Sequence, residues 1–278
     1  MECNFQFQFH YKNQLFQQKL WHEYIFKRQT INQLASKYNK GKDWIRNQLS
    51  LVKVKVTEII PQPLVLIADS TFFKRTFGVI VFRAPHLKKN IYWKEIRTET
   101  IDSYKEARII LERQGFEFKA IVLDGRPGVR EVFKDIPVQM CHFHQKMIVN
   151  RYLTTRPKLE ASIELREITL ALCKTNKEEF TKALNNWYLK WQDFLKEKTI
   201  DPETGKWHYT HKRVRSAFRS LKTNLPFLST YQKYPELNIP NTTNSLDGSF
   251  AHLKGLINIH RGIKKELKLK IINEILGK

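Results

Sequence analysis

Three aspartates in this basic chain stand where carboxylates can do chemistry. Asp69 follows the apolar run LVLIA at 64–68, Asp124 follows AIVL at 120–123, and Asp247 lies within NTTNSLDGSF at 241–250. Two carboxylates at the ends of neighbouring strands repel each other, and a divalent cation removes that penalty. Mg²⁺ (or Mn²⁺) accepts a few carboxylates and leaves positions open for phosphate and water. The pattern therefore predicts a metal site that cleaves and joins phosphodiester bonds, with Asp247 as its third ligand.

A simpler explanation exists for each aspartate alone. Asp69 or Asp124 could form a turn or cap a helix, most readily within VLDG at 122–125. The occurrence of both after apolar strands, on a basic chain, favours the metal.

The charge indicates the partner. The 278 residues carry a formal net charge of +22, with a pI near 9.9, which favours a polyanion as the partner, and nucleic acid is the expected one. The alternative is a basic protein without catalysis. Residues 204–235 contain no acid and interleave cations with aromatic rings, which is typical of a nucleic-acid groove. The predicted DNA contacts in this segment are Lys212, Arg213, Arg215 and Arg219.

Residues 1–58 are predicted to form a helix-turn-helix region. A helix over 14–28 precedes a helix that Thr30 and Gln33 begin as a capping box, a break at 39–41, and a helix over 43–50. Lys40, Lys42 and Arg46 lie where residues that read bases would stand. A small three-helix packing unit without DNA contact is the alternative.

The periodicity changes at Pro63, after a short linker at 58–63. A buried strand within LVLIADSTFF at 64–73 is expected to end at the acid Asp69, and strands at 77–84 and 90–99 follow. A helix over 103–114, begun by Ser103 and Glu106 as a capping box, precedes a second buried strand that ends at Asp124. This order predicts a mixed α/β sheet over 63–152, an all-α insertion over 153–236, and a return to the sheet domain over 237–278.

Cysteine spacing and hydropathy argue against a disulfide-rich, membrane-spanning or secreted protein. Three widely spaced cysteines do not form a disulfide framework. Cys141 and His144 have the spacing of half a zinc site, but no second pair completes it, so bound zinc is not predicted. No membrane span and no signal peptide is recognised, which predicts a cytoplasmic protein with no membrane partner.

The motifs ADSTFF, VLDGRPGV, MCHFHQ, NTTNSLDGSFAHLK and HRG, in this order, resemble those of Mutator-type bacterial insertion-sequence transposases over about residues 30–275. The resemblance implies an RNase H-like core, binding of element ends, and metal-dependent strand cleavage and strand transfer at the nucleoid. It assigns the first two acids to Asp69 and Asp124. The third is usually Glu, and this chain has Asp247. The resemblance also implies a structural or active-site-adjacent Cys-x-x-His pair, Cys141 and His144.

Further expectations accompany this resemblance. Lys254, His260 and Arg261 are predicted phosphate contacts after the third acid, and joining two DNA ends requires at least a homodimer. Related chains begin with a zinc ribbon, of which residues 1–10, with a single Cys3, could be a truncated remnant. Aspartate is one methylene shorter than glutamate, so a catalytically inactive DNA-binding relic is one alternative. An RNase H-like nuclease or resolvase is the other.

Overall fold

The structure, a computed structural model, describes residues 5–74, 76–260 and 262–278, with the backbone alone described for 5–12. Two compact units are present. The sheet-bearing unit comprises Ile60–Leu246, and the helical unit comprises the chain up to Ile59 together with Asp247–Lys278. No helix among the described residues is long and apolar enough to cross a bilayer.

The helical unit begins with α1 (Phe5–Ile25), α2 (Ile31–Tyr38) and α3 (Lys42–Leu51). Thr30 and Gln33 form the predicted capping box of α2. Asn39 ends α2 in the left-handed conformation, with φ 49°, and α3 begins directly after Gly41. The expected helix, break and helix are therefore present. The possible ribbon remnant lies partly outside the described residues, which exclude Cys3, and α1 already begins at Phe5.

A five-stranded mixed sheet forms the centre of the other unit. Strands β1 to β3 are antiparallel neighbours, while β4 and β5 run parallel to β1, giving the order β3-β2-β1-β4-β5. Helix α4 lies between β3 and β4 in the chain, and α5 lies between β4 and β5. The bounds are β1 Pro63–Phe73, β2 Phe77–Ala84, β3 Lys89–Ile96, α4 Ile101–Arg113, β4 Glu117–Leu123, α5 Pro127–Val132 and β5 Val138–Met140.

The segment after the sheet is mostly helical, but it also contains a hairpin. Its elements are α6 His142–Leu153, α7 Glu160–Ala171, α8 Lys177–Lys196, β6 Lys198–Ile200, β7 Trp207–Tyr209, α9 Lys212–Leu228, α10 Thr230–Lys233 and a 3-10 helix Pro235–Leu237. Strands β6 and β7 pair antiparallel, so the predicted all-α insertion is wrong in this respect. Thr, Ile, Trp and Tyr favour strands, and Gly205, with φ 64°, permits the turn.

The last helices are α11 (Asn244–Ile259) and α12 (Lys265–Leu276). Residues 247–278 belong to the helical unit, whereas the sequence pattern assigned 237–278 to the sheet domain. The reason lies in the packing. The Trp21 indole donates to Glu274 (3.1 Å), Lys270 donates to the carbonyls of Leu49 and Ser50 at the end of α3, and His260 stacks on Tyr24.

Candidate metal centre at the carboxyl end of the sheet

Asp69 and Asp124 lie at the same edge of the sheet. The parallel pairing of β1 with β4 ends at Ile67 and Val122, and Asp124 directly follows β4. The sequence predicted that the strand ends at Asp69, but this is wrong, because β1 continues to Phe73. Over this stretch β1 pairs with β2, and Asp69 faces Val81. Asp69 is nevertheless beyond the last residue that β4 covers. Side chains at this position leave the core where ligands bind to open α/β sheets.

Gly125 allows the chain to turn directly after Asp124. Its φ is 95°, a region that side chains rarely adopt, and a Cβ there would lie 2.3 Å from Cε of Met140. Glycine is therefore required for the turn that carries Asp124 out of β4 and towards α5.

Backbone amides orient both carboxylates. The Ser70 amide donates to Oδ1 of Asp69 over 2.7 Å, and the Arg126 amide donates to Oδ1 of Asp124 over 3.1 Å. Asp69 is buried and Asp124 is half-buried. One oxygen of each group is thus held by the chain itself.

His144 stands beside these acids on the first turn of α6. One of its ring nitrogens lies within 4.8 Å of an Asp69 carboxylate oxygen. Its Nδ1 is buried and has no hydrogen-bond partner among the described residues. The neighbouring Cys141 thiol raises the pKa of His144 to about 9 against the effect of burial, and the charges of Asp69 and Asp124 act in the same direction.

Cys141 connects His144 to the segment that precedes α11. Burial acts to raise the pKa of the Cys141 thiol, but the neighbouring His144 and the hydrogen bonds with Thr243 outweigh it and lower that pKa. The Thr243 amide and hydroxyl both lie 3.3 Å from Sγ, and Thr243 is fully buried. The predicted pair of Cys141 and His144 is therefore together, next to Asp69.

Tyr104 and Glu99 were not predicted from the sequence. The Tyr104 hydroxyl, on the buried face of α4, donates to Glu99 over 2.5 Å. Burial raises the pKa of Tyr104, and the charges of Glu99, Asp124 and Asp69 raise it further. Three carboxylates therefore act on this one hydroxyl. A tyrosine on the apolar face of an amphipathic helix carries no sequence signal that separates it from ordinary core.

Arg130 is a buried cation next to this site. It is 6% exposed, donates to Oδ1 of Asn224 over 2.9 Å and stacks on Phe227. Burial lowers its pKa, whereas the charge of Asp124 raises it. The charge of Asp124 therefore partly offsets the cost of burying this guanidinium.

The cations predicted on α9 divide into two groups. Arg213 donates to the Arg151 carbonyl (2.9 Å), and Arg215 donates to the Leu195 carbonyl and stacks on the ring of Tyr209 at 3.5 Å. Arg215, which is half-buried, therefore contributes to packing. Arg213 is exposed on the same helix, as are Lys212 and Arg219.

In the helical unit, Lys40, Lys42 and Arg46 are exposed at the start of α3, and Arg46 pairs with Asp43. Lys254 is exposed on α11, while Arg261 lies outside the described residues. His260 is 3% exposed and stacks on Tyr24 with ring centroids 3.9 Å apart, and burial lowers its pKa to about 4. The expected phosphate contact by His260 is wrong, because a buried neutral ring cannot neutralise phosphate.

Asp247, the third predicted acid, lies in the first turn of α11 and is half-buried. It follows Thr243 by four residues, which is about one helical turn.

No protein-family model and no curated protein sequence matches this chain. Among solved structures, it is similar to the Drosophila P element transposase strand transfer complex, with 12% identity, a TM-score of 0.38, and coverage of 86% of this chain and 85% of that one. It is also similar to a simian T-cell lymphotropic virus intasome in complex with PP2A regulatory subunit B56 gamma, with 10% identity, a TM-score of 0.24, and coverage of 73% and 68%. These scores are too low to establish a shared fold.

Proposed function

We propose that the chain is a DDE-type transposase of a Mutator-type insertion sequence. It binds element ends in double-stranded DNA as at least a dimer, and it catalyses strand cleavage and strand transfer. The observation that carries the proposal is the placement of Asp69 and Asp124 at one edge of the sheet, where β4 no longer covers β1. The strand order β3-β2-β1-β4-β5 supports an RNase H-like core.

The donor set fits a hard divalent cation. Asp69 and Asp124 supply carboxylate oxygens, which Mg²⁺ and Mn²⁺ prefer, and both lie where β4 no longer covers β1. When bound, such an ion lowers the pKa of an attacking water and stabilises charge on the phosphate. The amides of Ser70 and Arg126 hold the carboxylates in place for this task.

Asp247 is the third acid in this proposal. Thr243 anchors the start of α11 through its contacts with Cys141, and Asp247 follows about 6 Å along the helix axis.

The helical unit is the proposed reader of element ends. Lys40 and Lys42 are exposed at the start of α3, and the ion pair of Arg46 with Asp43 is exposed too, so DNA can compete for the guanidinium. Changing Lys42 and Arg46 to Ala should remove the preference for element ends while nonspecific affinity mostly remains.

The test uses a supercoiled plasmid that carries the gene with its flanking DNA. Cleavage at the element boundaries and joining to new sites are mapped by sequencing, with Mg²⁺, with Mn²⁺ and with chelator. Asp69→Asn and Asp124→Asn should each abolish cleavage while DNA affinity is retained, because the attacking water is no longer activated. Asp102→Asn, which changes an exposed acid at the start of α4, is the matched control and should cleave normally.

The outcomes separate the three candidate functions. Cleavage without joining would support the RNase H-like nuclease or resolvase. Binding of element ends without metal-dependent cleavage would support the inactive relic. Absence of DNA binding would contradict all three.

A further inference from the structure

A basic pocket lies at the carboxyl end of α6, the opposite end from His144. Its volume is about 300 Å³, and it is lined by the loop between α6 and α7 together with the start of α9. Three cationic side chains line it, those of Arg156, Lys158 and Arg213, and none of its lining residues is acidic. Of these three cations, only Arg213 was predicted from the sequence to contact DNA.

The positive charge of this pocket is not neutralised nearby. Arg213 is held by the Arg151 carbonyl, which fixes its guanidinium without removing its charge. Within the described ranges, no hydrogen bond or ion pair engages the side chain of Arg156 or Lys158, and both are exposed. Glu160, at the start of α7, pairs instead with Lys190. Three uncompensated cations around one concave surface attract an anion.

The loop that carries Arg156 and Lys158 is also strained. Thr154, which ends α6 and lines the pocket, has φ 70° and ψ 172°. A β-branched residue rarely adopts this region, and such strain is commonly found at binding sites. Its hydroxyl and that of Ser162 add neutral hydrogen-bonding groups to the pocket wall.

We propose that this pocket binds one backbone phosphate of duplex DNA. The assignment rests on the proposed function, and it adds a second contact on the same DNA. Guanidinium groups match the oxygens of a phosphate, and hydroxyls complete such a site. Helix α6 sets the spacing. His144 and Thr154 are ten residues apart, or about 15 Å along the helix, which corresponds to about four or five base pairs of duplex.

The test compares two variants that lose the same charge. Arg156→Gln with Lys158→Gln removes two pocket cations. Lys134→Gln with Lys182→Gln removes two exposed lysines elsewhere on the sheet-bearing unit. Affinity for a short duplex is measured between about 50 and 200 mM salt. The pocket variant should lower the slope of log affinity against log salt by about 1, the value for one lost phosphate contact, whereas the control keeps the parental slope.

Ethylation interference then locates the contact. The pocket variant should lose sensitivity at one phosphate, about four or five base pairs from the cleaved bond. A pocket variant with the parental slope, when the parent binds and cleaves DNA, would overturn this inference and leave the proposed function standing. A parent that binds no DNA would overturn both.

A separate titration with inorganic phosphate distinguishes a site for the free anion. Saturable phosphate binding that Arg156→Gln with Lys158→Gln abolishes, together with an unchanged slope on DNA, would assign the pocket to free phosphate and contradict the inference. Competition between phosphate and duplex at the pocket, lost in the same variant, is the result expected here.

Discussion

His144 and His260 are two histidines in opposite surroundings. His144, in the sheet-bearing unit, lies beside a thiol and near two carboxylates, and its pKa rises to about 9. His260, in the helical unit, is stacked on Tyr24, and burial lowers its pKa to about 4. Charged groups cluster around His144, whereas His260 is buried as a neutral ring. A cluster of partly buried charged groups lowers the stability of the folded protein, and such clusters are commonly found at sites that bind a ligand. A neutral buried ring contributes to packing instead.

We expect the largest loss of cleavage activity from a change at Asp247, the acid of the helical unit that we propose as a metal ligand. Asp247→Ala should reduce metal-dependent cleavage by more than about 100-fold, since even the outer partners of metal ligands cost 10–100-fold. Glu266→Ala is the matched control, because Glu266 is an exposed acid in the first turn of α12. It should cleave as the parent does. Rates are measured on the plasmid described above.

Asp247→Glu sharpens the same prediction. The longer acid should raise activity if α11 stands at the distance usual in the resembled family, and lower it if α11 stands closer. Cleavage that Asp247→Ala leaves untouched would remove Asp247 from the site and confine the chemistry to the sheet-bearing unit.

A second prediction concerns the pH dependence of stability through His260. Its pKa is lower in the folded state than the usual 6.5, so the unfolded chain takes up the proton first as pH falls. The contribution to stability is therefore present above pH 6.5 and is lost between about pH 6.5 and 4. At pH 5 the loss should be about 2 kcal/mol. Urea unfolding of the parent and of His260→Phe at pH 7 and pH 5 measures it.

His260→Phe should keep the stacking on Tyr24 and lose most of this pH-dependent difference. The cation Arg46 lines the same pocket as Tyr24 and His260. An equal loss of stability in parent and variant would show that other groups, such as carboxylates, cause the acid sensitivity.

A third prediction compares two tryptophans that donate to glutamates. Trp21 donates to Glu274 in the helical unit and Trp191 donates to Glu164 in the other, over 3.1 and 2.8 Å. The Glu274 side chain is 11% exposed and that of Glu164 is 31% exposed. Trp21→Phe should therefore cost about 2 kcal/mol of unfolding free energy, and Trp191→Phe less, because the more buried carboxylate loses a donor that water cannot replace. Equal costs would contradict the role of burial.

The smallest effect is expected at the helix caps, which are alike in the two units. Thr30 and Gln33 form a capping box on α2, and Asn176 and Glu179 form one on α8. Thr30→Ala and Asn176→Ala should each cost about 1 kcal/mol, because each leaves an amide of the first turn without its acceptor. Thermal or urea unfolding measures the loss of stability in each variant. A loss in only one of the two variants would contradict the expectation that the caps contribute equally in the two units.

These caps also show how far local sequence patterns predict structure. The capping box at Thr30 was predicted and is present. The box at Ser103 was wrong, because Thr100 accepts from the Ser103 amide and α4 begins at Ile101. Both Thr100 and Ser103 are cap formers three residues apart, so the sequence alone does not choose between them.

Two further sequence-based predictions are wrong because of tertiary contacts. Periodicity found the apolar run before Asp69, but the β1 strand continues because β2 pairs with it through Phe73. The motif HRG suggested a phosphate contact at His260, but the ring is packed against Tyr24, more than two hundred residues earlier in the chain. Neither partner is visible in the local sequence.

Local sequence patterns predict most of the helices and strands, together with two of the acids. Apolar runs followed by Asp69 and Asp124 predict strands that present carboxylates, and the order of elements predicts a mixed sheet. The resemblance already indicated His144 near the acids, whereas Tyr104 and Glu99 are recognised only in the folded structure. Periodicity and capping act over a few residues, whereas the packing of α4 against β3 and β4 brings together side chains that are far apart in the chain.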